Sequence, residues 1–120
     1  MIIIYGIPNC DTVRKALAWL NQHGIAYHFH NLKTEGISTQ RLQAWVAQVG
    51  WEKLLNRKGT TWRRLPAHLQ TAVSDAASAQ ALMQAQTSII KRPVVEGASE
   101  LIVGFDELQY RHLFNKEQKA

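Results

Sequence analysis

The chain has 120 residues, 46% hydrophobic and 19% charged, with 14 basic against 9 acidic side chains and a formal charge of +5. This size suits one domain that buries roughly two-thirds of its unfolded surface without staples, and the composition excludes a disordered tail protein. A single cysteine excludes an internal disulfide framework and a thiolate-rich zinc site, and no apolar run approaches the ~18 residues of a membrane span.

Met1–Tyr5 is a β-branched run closed by Gly6, which predicts a buried strand. The run lacks the basic flank and small-residue cleavage site of a secretory signal, so a cytoplasmic location is expected. Pro8, Asn9, Asp11 and Thr12 predict a turn that caps a helix. Val13, Ala16, Leu17 and Leu20 then recur at the spacing of an amphipathic stripe, and His23-Gly24 ends it. Trp19 lies off that stripe and is expected to cover the neighbouring surface. Ile25–His30 predicts a second strand, parallel to the first through a right-handed crossover.

From about Lys33 to Ser88 the periodicity is helical, without a convincing strand. Ser38 predicts the cap of a helix carrying Leu42, Trp45, Val46 and Val49, with Gly50 as its stop. Trp45 is on the stripe and predicts a core position. A short helical piece at Trp51–Leu55 precedes a polar loop, Asn56–Thr61. Pro66 suits the first turn of a helix carrying Leu69, Ala72 and Val73. A further helix over about Ala79–Ala85 turns Leu82 and Met83 inward.

Strands return at Pro93–Glu96 and Leu101–Val103, flanking Gly97-Ala98-Ser99 as a hairpin, with Gly104 breaking the second. Asp106 predicts the cap of a helix through Phe114, and 115–120 a polar, frayed tail. The pattern implies an α/β fold: a mixed sheet with helices on both faces, interrupted by an all-helical insertion at about 34–88. No internal repeat or linker divides the chain, so one domain over 1–120 is expected.

Cys10 falls between a strand end and a helix start, where unpaired backbone N–H groups and the helix dipole favour negative charge. A thiolate is the nucleophilic form of cysteine, and such a place stabilises it. The same position also suits a small packed apolar residue, so location alone leaves both readings open. Asp11 opposes ionisation of the thiol by like-charge repulsion, and the dipole, at ~0.3–1 kcal/mol, only offsets it. Further positive charge is therefore needed. Arg57 in the polar loop and Arg92 before Pro93 are the candidates, and paired guanidinium donors also suit an oxyanion or carboxylate. Each is equally a solvated surface charge when read alone. Arg92-Pro93 at a strand start is a candidate cis bond. Thr12 is placed to support the thiolate or to cap the helix.

Three segments carry a resemblance to a known family. They are Tyr5-Gly6-Ile7-Pro8-Asn9-Cys10-Asp11-Thr12, Leu55-Asn56-Arg57-Lys58-Gly59-Thr60-Thr61-Trp62-Arg63 and Ile90-Lys91-Arg92-Pro93-Val94. In this order and separation the chain resembles the arsenate reductase (ArsC)/Spx family of the thioredoxin-like superfamily, and more narrowly its YffB-type branch. The resemblance runs from about Ile2 to Phe114. It implies a thioredoxin-like four-stranded sheet, Cys10 as redox nucleophile, Arg57 and Arg92 as anion-binding arginines, and Pro93 as the cis-proline. In ArsC-type reductases the cysteine attacks bound arsenate, glutathione completes a mixed disulfide, and glutaredoxin resolves it. The reductase pattern has a third arginine after the last hairpin strand. Here that stretch reads Ile102-Val103-Gly104-Phe105. Cys10-Asp11-Thr12-Val13 also lacks the second cysteine of a Spx-type switch.

The resemblance therefore implies a glutathione-dependent monothiol oxidoreductase. No bound cofactor is expected; glutathione is the co-substrate, and glutaredoxin and a small anionic or thiol substrate are the partners. Two alternatives are arsenate reduction coupled to glutaredoxin, and a Spx-like regulator that binds RNA polymerase. His28 and His30 share a strand face, but no third metal ligand accompanies them. Trp62 falls in the loop motif and is expected beside the site. Lys53, Arg57, Lys58, Arg63 and Arg64 form a basic cluster without regular base-stacking aromatics, which favours a solvated or anion-steering face over nucleic acid.

Overall fold

The computed structural model describes the backbone of residues 1–119 and the side chains of residues 1–114. The tail expected to fray at 115–120 lies outside the described side chains. The chain forms two compact units, one of Met1–Asn31 with everything from Arg92 onward, the other of Leu32–Lys91.

The first unit opens with β1 (Ile2–Gly6), α1 (Asp11–Gln22) and β2 (Tyr27–Asn31). The chain then builds the second unit from α2 (Leu32–Glu35), α3 (Thr39–Val49), α4 (Trp51–Leu54), α5 (Thr60–Arg63), α6 (Ala67–Ala72) and α7 (Ala76–Ala85). It returns with β3 (Val94–Glu96), β4 (Ile102–Val103) and α8 (Glu107–Lys119). The strands form one mixed four-stranded open sheet in the order β2-β1-β3-β4. β1 and β2 are parallel, as the crossover rule predicts, and β3 is antiparallel to both β1 and β4. Observed strand limits differ from the expected ones by one or two residues, because β-branched content does not mark where ladder bonds stop.

One sheet face carries the core of the first unit. Ile2, Ile4, Val95 and Ile102 pack with Ala16, Trp19 and Leu20 of α1 and Tyr110, Leu113 and Phe114 of α8. A fully buried Leu20 or Ile4 contributes about 1.5–3 kcal/mol through removal of its surface from water. Trp19 corrects an expectation. It is 4% exposed and meets Tyr110 edge-on at 5.6 Å and Phe114 at 5.8 Å. The buried stripe of α1 is Val13, Ala16, Trp19 and Leu20, while Leu17 is only half-buried. Position 19 stands one helical turn beyond Ala16, so a large ring there reaches the cluster. The opposite face aligns Ile3 and Tyr5 with His28 and His30, and the Tyr5 hydroxyl donates to Glu96 Oε1 at 2.9 Å.

The hairpin matches its sequence signals, whereas α8 runs past its expected end at Phe114 to Lys119. Asp106 caps α8, its Oδ1 accepting from Leu108 N–H at 2.9 Å and Gln109 N–H at 3.2 Å. The Tyr110 hydroxyl donates to the Gly104 carbonyl at 2.9 Å, and burial pushes this phenol well above its ordinary value of 10.0. The sign follows from proton linkage. Above pH ~10 the unfolded chain binds fewer protons than the folded one, so stability falls as pH rises; below it the contribution is fully present. Unfolding midpoints measured between about pH 8 and 11 should decline more steeply for the wild type than for Tyr110→Phe. Parallel declines would refute this assignment. At neutral pH the same substitution should cost about 1–3 kcal/mol, because the buried Gly104 carbonyl loses its donor.

In the second unit, α3 begins at Ser38, whose Oγ accepts from Arg41 N–H at 3.2 Å, and stops at Gly50 with φ +87°. Leu42 and Trp45 are buried, as their spacing predicts. α3 packs against α7, which buries Ala79 and Met83 and leaves Leu82 half-buried. α6 departs from expectation: it buries no residue, and Leu69 is 41% exposed. Six residues make too short a helix for periodicity to show which side faces a core. An isolated bridge pairs Leu55 with Ile90, so this stretch is not wholly helical.

Candidate functional site

Gly6 ends β1 against the side chain of Val13. A Cβ on Gly6 would meet Val13 Cγ2 at 2.8 Å, so only glycine lets α1 approach the strand end this closely. The intervening loop delivers Cys10 as the N-cap residue of α1, with extended φ −105° and ψ 125°. This corrects the expectation of an Asp11 or Thr12 cap, because helical geometry begins at Asp11. The Cys10 side chain makes no capping hydrogen bond. The Cys10 side chain therefore leaves the first-turn N–H groups of α1 without a side-chain cap from this position. Cys10 is a half-buried free thiol, not one sealed in hydrocarbon. Thr12 is exposed in the first turn.

Asp11 is exposed and paired with Arg14, whose Nη1 lies 3.3 Å from Asp11 Oδ1 and whose Nε donates to the Pro8 carbonyl at 3.3 Å. Sequence reasoning weighed Asp11 without this counter-charge. The sequence signal for this pair is the i,i+3 acid–base spacing at the helix start. Arg14 thus spans the Cys10 loop and pairs with the carboxylate next to Cys10 in the chain. Arg14→Ala should slow alkylation of Cys10 at neutral pH about twofold to fivefold, the range for an exposed pair. An unchanged rate would remove this role.

Pro93 is buried, and the Arg92-Pro93 bond is cis, as its sequence position suggested. Gly104 N–H donates to the Pro93 carbonyl at 2.8 Å. The antiparallel register pairs Tyr5 with Val94. Arg92-Pro93 therefore runs beside the end of β1 that leads to Cys10. The first unit thus brings Cys10, Arg92 and Pro93 to one end of the sheet. Gly104 occupies the stretch where the reductase pattern has a third arginine; its φ of +87° suits glycine rather than a long side chain.

Arg57 belongs to the second unit. Its guanidinium carbon lies 5.4 Å from the Trp51 ring centroid and 5.8 Å from that of Trp62. The expected polar loop is shorter than drawn, because α5 begins at Thr60. Asn56 N–H donates to the Ile89 carbonyl at 2.9 Å, and Asn56 Oδ1 accepts from Lys58 N–H at 3.2 Å. Among the described residues no group of three or more His, Cys, Asp or Glu side chains is arranged to hold a metal ion, and no helix is long and apolar enough to cross a membrane.

The profile of the ArsC family matches residues 5–113. The chain belongs to the ArsC family. Its thioredoxin-like fold is shared with solved ArsC-related structures. The YffB protein is 44% identical with a TM-score of 0.89, covering 94% of this chain and 98% of its own. An arsenate reductase (ArsC) related protein from Brucella melitensis is 51% identical with a TM-score of 0.74, covering 94% and 93%. The global transcriptional regulator Spx of Lactiplantibacillus plantarum is 26% identical over 121 residues, covering 98% of this chain and 89% of its own. The ArsC family thus includes both reductase-like and regulator relatives of this chain.

Proposed function

We propose that this ArsC-family chain is a glutathione-dependent monothiol oxidoreductase. Cys10 is the nucleophile, and Arg57 and Arg92 hold anionic groups of glutathione or the substrate. One observation carries the reading: the sole cysteine is a half-buried N-cap residue, without a capping bond of its own, at the sheet end that also holds Arg92 and Pro93. The roles of the two arginines come from their places in the family motif.

The chemistry balances with one protein thiol. The Cys10 thiolate attacks the glutathione sulfur of a substrate–glutathione mixed disulfide, forming a Cys10–glutathione disulfide and expelling the substrate thiolate, which takes up a proton. A glutathione thiolate then attacks the glutathione sulfur of the Cys10 disulfide, releasing the Cys10 thiolate and forming glutathione disulfide, so that one substrate disulfide is reduced for each glutathione disulfide made. Incubation with glutathione disulfide should add one glutathione per chain at Cys10, reversibly by free glutathione, as read by intact mass. Absence of the adduct would overturn the reading.

Two relatives support other proposals. The 51% identity to an arsenate reductase-related protein favours arsenate as the anion, tested by arsenate turnover with glutathione and glutaredoxin. The likeness to Spx over 98% of the chain favours a transcriptional regulator, tested by capture of core RNA polymerase subunits on the immobilised chain.

A further inference from the structure

We infer that Trp51 and Trp62 are positioning residues that hold the Arg57 guanidinium for edge-on capture of an anion, an assignment that rests on Arg57 acting as an anion-holding residue. Arg57 is exposed, whereas both tryptophans are half-buried. An exposed arginine spreads over many rotamers unless something restrains it. The two indoles within 5.4 and 5.8 Å supply that restraint, since a guanidinium is attracted to the face of an aromatic ring.

The rings are themselves anchored. Trp51 opens α4, whose end is fixed where Lys91 N–H donates to the Leu54 carbonyl at 2.7 Å and Leu55 bridges Ile90. The Trp62 carbonyl in α5 accepts from Gln70 Nε2 at 2.8 Å. The Asn56–Gly59 turn between them is tight: a Cβ on Gly59 would meet Asn56 Nδ2 at 2.7 Å. Short, tied segments thus set where the rings stand, and the rings set where the long side chain rests.

Arg57 has no carboxylate partner among the described residues, in contrast to Arg14 with Asp11 and Arg111 with Glu107. Its N–H donors are therefore not consumed by the protein. A guanidinium restrained through ring contacts keeps its in-plane donors open, the geometry that binds a carboxylate or oxyanion through two parallel hydrogen bonds. Lysine would keep the charge but lose both the planar contact and the fork.

The test uses the full chain with glutathione as probe, comparing wild type with Trp51→Leu, Trp62→Leu, Trp51→Phe, Trp62→Phe and Arg57→Ala. In the wild type, ring currents should move the Arg57 side-chain proton resonances upfield, and each leucine variant should return them part-way. Each leucine variant should weaken glutathione binding about twofold to fivefold, with the phenylalanine variants intermediate. Thermal melts identify any leucine variant that loses its fold, in which case the phenylalanine pair decides. Unshifted Arg57 resonances in the wild type overturn the inference. So does wild-type affinity in every tryptophan variant when Arg57→Ala binds weakly. If Arg57→Ala binds glutathione as the wild type does, the anion-holding reading itself fails, and the inference falls with it even where the ring-current shift persists.

Discussion

Cys10→Ser is expected to reduce glutathione-coupled disulfide reduction by on the order of 10³ or more, the scale seen when a sole nucleophile is removed. The fold should not suffer. Cys10 is the N-cap residue of α1 and makes no capping bond, whereas serine is among the best residues at that position. Its hydroxyl can accept from a first-turn N–H that the sulfur leaves unbonded. The variant should therefore melt at or slightly above the wild-type temperature while losing its chemistry. This opposition makes the experiment decisive, because lost activity cannot then be ascribed to lost structure. Turnover in Cys10→Ser equal to the wild type would sink the assignment of Cys10 as nucleophile.

Much of the frame was legible because it rests on period and punctuation. Val13, Ala16 and Leu20 marked the inner side of α1, Ser38 and Gly50 bracketed α3, and Gly97 marked the hairpin. What escaped was short or relational. α2 and α5 have four residues each, too few for a repeat to show. Trp19 was misplaced because a stripe drawn through Leu17 ignored the reach of a large ring toward Tyr110. Cys10, Arg57, Arg92 and Pro93 were each visible as motif positions. The partners that condition them were not. The Arg14 bridge to Asp11 follows an i,i+3 spacing that counts only once helical geometry begins at Asp11, and the contact of Arg57 with Trp51 joins the start of α4 to the turn beyond its end. Residue type announces capability, while orientation belongs to the packed chain.

The largest stability effect is expected from Gly97→Ala. Gly97 follows β3 with φ +101°, a conformation that side chains rarely adopt, and a Cβ there would lie 2.2 Å from the Met1 carbonyl oxygen, 3.0 Å from its carbon and 3.1 Å from Ile2 Cα. All three neighbours are backbone atoms, so no rotamer change relieves the clash. Either the start of β1 or the hairpin must move, and Ile3 pairs with Glu96 immediately beside the contact. Strain at positive φ alone is about 1–3 kcal/mol, and overpacking adds a similar amount. A total of about 2–6 kcal/mol should lower the melting temperature by roughly 8–24 °C for a domain of this size. Gly24→Ala separates the two contributions. Gly24 has φ +67°, but a Cβ there would meet nothing within 4 Å. That variant should lose only about 1 kcal/mol, the backbone share. Equal losses would mean that the approach of Gly97 to Met1 contributes nothing. A larger loss at Gly97 would show that the hairpin is held against β1 by a contact only glycine permits. Arg92 and Pro93 precede the same β3, so displacement of that strand should also slow Cys10 chemistry at temperatures where the variant remains folded.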